Sequence, residues 1–370
     1  MVLPYQALKK ILFGAQPMIV AETPVEPSQI QPASCDLRLG DTVYCMKAAG
    51  FPGKKETVRQ FVENNCHRSF VLGNTPCVLE KGHCYIIPLK ERLRLGTRFF
   101  ATFSPKSSIG RCDIFVRVLS DKNPSYDKTP KGYHGPLYLE IVPLSFRARV
   151  VSRLSLVQMR IQEDDATADN ATLEALQAEY GIVRDSRGRA LGLREARIQN
   201  NAVYFSIDLS RKIVGFEAVP KPRKELFLNK PKSHIVSDFW RRIRRPSSRK
   251  EIVLAAGKFY LLSTKERVII PPGYCAEVIH YEVTTGEFRT HYAGFFDPGF
   301  GGKQGTTLVL EVRVRDAAFR FFDGQVICGM VFRKTKEPSE ILYGQELGSH
   351  YTGSGPSLSK YFKENGTAWR

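Results

Sequence analysis

The chain has 370 residues, 42% hydrophobic and 25% charged, enough apolar material for two ordinary cores rather than one. No run approaches the roughly 18 apolar residues of a membrane span. Lys9-Lys10 precede only the short patch Ile11-Leu12-Phe13 with no small-residue cleavage pattern, so neither a membrane protein nor a secreted precursor is expected. The 55 Lys and Arg against 37 Asp and Glu give a net charge of +18, a field that attracts nucleic acid and nucleoside triphosphate alike and does not choose between them.

In chain order, the first predicted element is a helix over 5–13. Short apolar and alternating runs at 84–87, 99–103, 137–143, 259–262, 307–314 and 325–332, separated by Gly and Pro turns, predict strands of antiparallel sandwich or barrel domains with few helices. A polar stretch from Glu163 to Gln199 holds a helix signature at 170–181, with Asn170 as cap, Leu173, Leu176 and Tyr180 on one face, and Gly181 to close it. Residues 53–67 and 230–250 resemble insertions of different kinds. The cluster Trp240-Arg241-Arg242-Ile243-Arg244-Arg245-Pro246-Ser247-Ser248-Arg249-Lys250 reads as a solvated basic loop or as a contact for nucleic acid or a partner. The eight cysteines, Cys35, Cys45, Cys66, Cys77, Cys84, Cys112, Cys275 and Cys328, lack the close spacing of a metal knuckle and are expected to be reduced, mostly buried thiols of a cytoplasmic protein.

Three internal matches occur in the same order. Ser-x-Asp-Leu appears at Asp36 and Asp208, Gly-x-x-Tyr at Gly82 and Gly257 with Lys-Glu-Arg after each, and Leu-x-Leu-Glu at Glu140 and Glu311; the displacements are 172, 175 and 171. Such agreement implies two copies of one domain, at 1–165 and 201–370, joined by a linker at 166–200 with one short helix.

Two stretches can carry chemistry. In Asp297-Pro298-Gly299-Phe300-Gly301, Pro298 and Gly299 predict a tight reversal, and the run ending at Glu311 predicts the returning strand of a hairpin. Asp297 and Glu311 would then face one pocket, or else serve as a capping Asp and a surface Glu. In Ser104-Pro105-Lys106-Ser107-Ser108-Ile109-Gly110-Arg111, hydroxyls and two cations at a strand end suit a triphosphate, although such clusters are also common on surfaces. A zinc nucleobase deaminase needs His-x-Glu and a later Pro-Cys-x-x-Cys. His280-Tyr281-Glu282 meets the first part, but no two cysteines are three apart, so no zinc is expected. His67 beside Cys66 and His83 beside Cys84 read as core or strand residues.

The segment Ile30 to Gly40, Lys106 to Arg111, Asp297 to Gly301 with Leu310-Glu311, and Tyr343-Gly344 through Gly348-Ser349-His350-Tyr351-Thr352-Gly353 together resemble the dCTP deaminase branch of the trimeric dUTPase family. The resemblance implies a mainly β chain of two tandem dUTPase-like distorted jelly-roll or barrel domains. It further implies a homo-oligomer, a trimer by preference, with dCTP as substrate, dUTP as product, dTTP as a candidate inhibitor and Mg²⁺ on the triphosphate. By the same resemblance Glu311 is the catalytic carboxylate, and Ser107 and Arg111 hold the attacking water and polar intermediate. Lys106 and Ser108 contact phosphate, Asp297 binds sugar and base, and Tyr343, His350 and Ser354 belong to a closing tail. The implied reaction is zinc-independent hydrolysis of dCTP to dUTP and ammonia, feeding dUTP and dTTP synthesis.

The two copies depart from that pattern in complementary ways. Copy one keeps Ser107-Ser108 and Arg111 but has Pro130-Lys131-Gly132-Tyr133 in place of Asp-Pro-Gly-Phe; copy two keeps Asp297-Pro298-Gly299-Phe300 but has Val283 to Arg289 in place of the Ser/Arg segment. One composite site is therefore expected, with Glu140 a relic or a structural carboxylate. A dUTP diphosphatase or a bifunctional enzyme making dUMP is the nearest alternative. A basic nucleotide- or nucleic-acid-binding β protein is the non-enzyme alternative, which the retention of complementary half-sites disfavours.

Overall fold

The computed structural model describes residues 1–245, 250–279, 288–289, 294–344 and 357–363. These residues are mainly β, with four α-helices at Tyr5–Phe13, Val58–Asn65, Ser107–Gly110 and Asn170–Tyr180. None is long and apolar enough to cross a membrane. All eight cysteines are unpaired thiols, and six are buried.

The helix Tyr5–Phe13 has the expected bounds, with Leu8 and Leu12 one turn apart on its buried face. Asn170–Tyr180 also forms and ends on Gly181 in the left-handed conformation (φ 59°). Its cap, however, is Asp169, whose carboxylate accepts from the Thr172 N–H at 2.9 Å, while the Asn170 side chain accepts from the Asn201 N–H instead. Leu173 and Leu176 are buried but Tyr180 is exposed. The helix packs into the second of two large apolar clusters, so the stretch expected as a linker is part of that core.

The two halves repeat one strand order. In the first, Cys66–Val71, Thr42–Met46, Cys84–Arg94, His134–Pro143 and Ile114–Ser120 lie side by side, with Ile19–Ala21 on the far end of Cys84–Arg94. In the second, the order is Trp240–Arg244, Ile213–Ala218, Phe259–Val268, Thr306–Val314 and Phe288–Arg289, with Val183–Arg184 on Phe259–Val268. Smaller sheets accompany each: Cys35–Arg38, Ser155–Gln162 and Phe100–Pro105 in one, Ala202–Ser206, Val326–Lys334 and Tyr274–Ile279 with flanking strands in the other. Side chains repeat as well. The Tyr85 hydroxyl accepts from the Glu80 N–H and the Tyr260 hydroxyl from the Ala255 N–H, both at 2.9 Å. Glu91 accepts from the Arg38 N–H and Glu266 from the Ser206 N–H, both at 2.8 Å.

Two expectations are corrected here. The Asp-Pro-Gly stretch does turn, with the Phe300 N–H donating to the Asp297 carbonyl at 3.1 Å and Gly299 at φ 85°. It does not close a hairpin: Phe295–Phe296 pairs with Tyr274–Ile279, whereas Thr306–Val314 pairs with Phe259–Val268 and Phe288–Arg289. The turn is a corner from one sheet to another, because each flanking strand has its partner elsewhere. Secondly, the basic cluster does not begin as a loop. Trp240–Arg244 is an edge strand on Ile213–Ala218, and Trp240 is buried against Phe146 at 5.4 Å; Pro246 to Arg249 lie outside the described residues.

Alternation along Thr306–Val314 sets how the halves meet. Leu308, Leu310, Val312 and Val314 enter the second core, while Val309 joins the first cluster together with Phe259 and Leu261 from the neighbouring strand. Period two therefore turns Glu311 and Arg313 towards the first half as well. Arg313 forms an ion pair with Asp113, whose side chain is fully buried, and its Nη1 donates to the Gly257 carbonyl at 3.0 Å. Arg313→Met should destabilise the chain by about 3–5 kcal/mol, because it strands a buried carboxylate, and Asp113→Asn in the same chain should restore much of that. Denaturant unfolding of the single and double variants measures both; equal stability of Arg313→Met and the parent would refute the assignment.

Candidate functional site

The segment Lys106 to Arg111 follows the strand Phe100–Pro105 as a single helical turn, Ser107–Gly110, with the Arg111 N–H donating to the Ser107 carbonyl at 3.2 Å. Ser108, Ile109, Gly110 and Arg111 are buried, and Lys106 and Ser107 are partly so. Glu311 comes from the other half and lies directly on this turn. A methyl group placed on Gly110 would stand 2.4 Å from one Glu311 carboxylate oxygen and 2.5 Å from the other, so the bare Cα permits the approach. Glu311 is itself 2% exposed. The structure thus brings the Ser/Arg segment of one half and the carboxylate of the other together within a single chain.

At the opposite end of the turn, about 6 Å away by helical rise, Lys106 pairs with Asp36. Asp297 lies in the same neighbourhood: its carboxylate accepts from the Ala33 N–H at 2.9 Å and feels Asp36, Arg160 and Lys106. Burial, reinforced by Asp36, pushes the Asp297 carboxyl up to about 7, against the pull of the Ala33 hydrogen bond and the two cations. Behind it Arg160 pairs with Glu277, donates to the Ser104 hydroxyl at 2.9 Å and lies 4.3 Å from the Phe295 ring centre. The two carboxylates of the second half therefore address the two ends of one turn of the first.

Tyr343 is held at the Asp-Pro-Gly corner, where its N–H donates to the Pro298 carbonyl at 2.9 Å and its ring lies 5.4 Å from Phe300. With Ile270, Pro271, Gly299 and Gly301 to Gly305 it lines a cleft of about 660 Å³. His350 and Ser354, expected in the closing tail, lie outside the described residues, as do Val283 to Glu287.

Glu140, the counterpart of Glu311, is enclosed differently. It accepts from the Gly50 N–H at 3.1 Å and the Tyr126 hydroxyl at 3.2 Å. Burial raises its proton affinity, which those hydrogen bonds partly oppose. The face of the sheet around it, with Cys84, Ile86 and Tyr138, packs under Val58 and Val62 of the helix at 58–65. The first-half insertion covers the position that, in the second half, meets the Ser/Arg turn.

Several residues had no flag as site groups in the sequence. Asp36 stands in the repeated Ser-x-Asp-Leu and within the Ile30 to Gly40 segment of the resemblance, which gives it no role in the site. Ser357 and Ser359 follow the tail motif: Arg111 donates to the Ser357 carbonyl at 3.0 Å and to its hydroxyl, and the Ser359 hydroxyl donates to the Ser108 carbonyl at 2.7 Å. Cys112, next in the chain, is pushed up to about 12 by burial, with Glu311 adding to the shift, and is no nucleophile.

Asp297 offers a pH test in the nucleotide-free protein. Its carboxyl binds a proton more tightly in the fold than in the unfolded chain, where the affinity returns to about 3.9. The stability it contributes is fully present below that value and is lost as pH rises through 7. Asp297→Asn keeps an acceptor for the Ala33 N–H but does not titrate, so its stability relative to the parent should grow from pH 5 to 7 and level off above. Urea unfolding across that range checks it; a pH-independent difference would remove Asp297 as the titrating group.

Comparison with known proteins gives one family. Residues 1–165 match the family model described as the 2'-deoxycytidine 5'-triphosphate deaminase (DCD) N-terminal domain, and residues 169–362 match its C-terminal domain. The chain is 38% identical over 117 residues to a dCTP deaminase of Natronomonas pharaonis, a match that covers 30% of this chain and 57% of that protein. It is 29% identical over 179 residues to a dCTP deaminase, dUMP-forming, of Methanosphaera stadtmanae, covering 45% of this chain and 81% of the relative. The crystal structure of a 2'-deoxycytidine 5'-triphosphate deaminase from Agrobacterium tumefaciens is similar over 92% of this chain and 99% of its own, with a TM-score of 0.83 and 34% identity.

Proposed function

The chain belongs to the 2'-deoxycytidine 5'-triphosphate deaminase family, and on that footing we propose that it hydrolyses dCTP to dUTP and ammonia at one composite site built from both halves. The observation that carries the reading is the contact of Glu311 with Gly110, which joins the retained carboxylate of one copy to the retained Ser/Arg turn of the other. Each half is read as a dUTPase-like distorted jelly roll, the first over 1–165 and the second over 201–370, with 166–200 between them. The repeated strand order and the paired Tyr85/Tyr260 and Glu91/Glu266 contacts support a duplication.

In the proposed reaction water oxygen bonds to C4 of cytosine and the C4–N4 bond breaks. Of the two water protons, one leaves with the amine as ammonia and the other ends on N3 of the uracil product. Glu311, buried and opposite the turn, takes the proton from water and hands it to the departing amine, a role worth about 10²–10⁴ in rate. Ser107 and Arg111 hold the water and stabilise charge on the tetrahedral intermediate, an effect of a few kcal/mol in a dry site. Lys106 and Ser108 contact phosphate and Asp297 the sugar and base, with Tyr343, His350 and Ser354 assigned to closure.

Mg²⁺ is expected to enter with the triphosphate. Lys106 and Ser108 suit phosphate oxygens; bound to the phosphates, the ion would neutralise their charge. Zinc has no part in this scheme, which uses a carboxylate and no cysteine pair. A trimeric assembly, inhibition by dTTP and a cytoplasmic setting complete the reading.

A second reading has a specific observation in its favour, since the Methanosphaera relative is named as dUMP-forming. There a second water would also add its oxygen to the α-phosphorus, breaking the α–β phosphate bond to leave dUMP and release pyrophosphate. Incubation with dCTP and Mg²⁺ separates the two: dUTP with ammonia supports the first, and dUMP with pyrophosphate the second. Glu311→Gln should retain dCTP binding within about threefold while losing turnover by 10² or more; full activity in that variant would rule out Glu311 as the proton carrier.

A further inference from the structure

The C-terminal segment from Ser357 to Lys363 is built into the first half rather than laid on it. Tyr361 and Phe362 are each 1% exposed, and Leu358 is buried beside them in the first-half cluster. Phe362 packs on Phe239 at 5.5 Å and on Trp240 at 6.0 Å. The turn around Lys232 holds the backbone: the Lys232 N–H donates to the Lys360 carbonyl at 2.9 Å, the Ser233 N–H to the Tyr361 carbonyl at 3.0 Å, and the Lys363 N–H to the His234 carbonyl at 2.8 Å.

Between these anchors the same segment touches the Ser/Arg turn twice, through Ser357 to Arg111 and through Ser359 to the Ser108 carbonyl. Lys360 follows directly. It is partly buried, and its ammonium group senses both Lys106 and Asp36, the pair at the other end of the turn. Burial and Lys106 lower its proton affinity, while Asp36 opposes them. Arg111 and the Glu311 carboxylate thus lie at one end of the turn, while the Lys360 and Lys106 ammonium groups lie about Asp36 at the other. Positive charge gathered there favours an anion with several oxygens.

We propose that Lys360 is a phosphate-binding residue of the composite site, supplied by the anchored C-terminal segment and acting with Lys106 on the triphosphate of the substrate. This rests on the reading of the site as one for a nucleoside triphosphate. Ser357 acts beside it as a positioning residue, holding the Arg111 guanidinium over the turn. Neither residue stands in the motifs that carry the resemblance, and both reach the site only because Leu358, Tyr361 and Phe362 fix the chain around them.

The test uses the full chain with dCTP, inorganic tripolyphosphate and deoxycytidine as separate probes. For Lys360→Met we expect KM for dCTP and the inhibition constant of tripolyphosphate each to rise about tenfold or more. We expect kcat to change by less than about threefold and weak inhibition by deoxycytidine, which has no phosphate, to stay unchanged. Lys360→Arg should recover most of the loss, and Lys363→Met, at an exposed neighbouring lysine, should behave as the parent. Should the methionine variant fail to fold, Lys360→Gln gives the same comparison. Unchanged tripolyphosphate inhibition in a folded, active Lys360 variant would overturn the proposal and leave the deaminase reading intact. Equal weakening towards tripolyphosphate and deoxycytidine would also overturn it, since that marks a structural role. If the parent chain neither turns over dCTP nor binds tripolyphosphate, the functional reading falls and this proposal with it.

Discussion

The strand Thr306–Val314 has two buried faces, and the rest of the molecule follows from that. Its even-numbered residues Leu308, Leu310, Val312 and Val314 fill the second core, so period two sends Val309, Glu311 and Arg313 the other way. On that side lies the first half, where Val309 finds apolar partners, Arg313 finds Asp113 and Glu311 finds the bare Cα of Gly110. A register slip of one residue would exchange the faces and bury leucines against the turn while driving Glu311 into an apolar core. Sheet packing and the placement of the carboxylate are therefore one constraint.

The halves share a strand order but differ in what covers the corresponding sheet face. In the first half the insertion at 53–67 becomes a capped helix, opened by Thr57 with Gln60, and Val58 and Val62 shield the face around Glu140. In the second half the insertion at 230–250 becomes an edge strand and a clamp on the C-terminal segment, and its Phe239 and Trp240 join the core of the first half. One carboxylate is closed in by its own domain and the other is presented to its neighbour. The asymmetry leaves Glu140 enclosed beneath the helix at 58–65 and Glu311 against Gly110 of the first half.

Charge in the site is arranged so that burial is balanced unevenly. Around Lys106 the lysines share Asp36, and burial raises Asp297 towards neutrality. Arg160 and Arg333 behind the site are answered by Glu277, which they hold below the usual carboxylate range although burial pushes the other way.

The sequence alone determined the elements with strong local signals: the helix at 5–13, the alternating strands and the reversal at Pro298-Gly299, together with the matched residues that recur at a nearly constant displacement. Through the family resemblance it also led to the expectation that Lys106 to Arg111, Asp297 and Glu311 lie together, and the structure brings Glu311 onto Gly110 and Asp297 near Lys106. Only the tertiary structure decided that the Asp-Pro-Gly turn is a corner between sheets, that Trp240 is core rather than loop, that Asp169 and not Asn170 caps the helix, and that Ser357 and Ser359 touch the Ser/Arg turn. Strand partners, sheet faces and the docking of a chain end are set by contacts between residues hundreds of positions apart, as with Arg111 and Ser357, and no local pattern of propensity or periodicity encodes such a pairing.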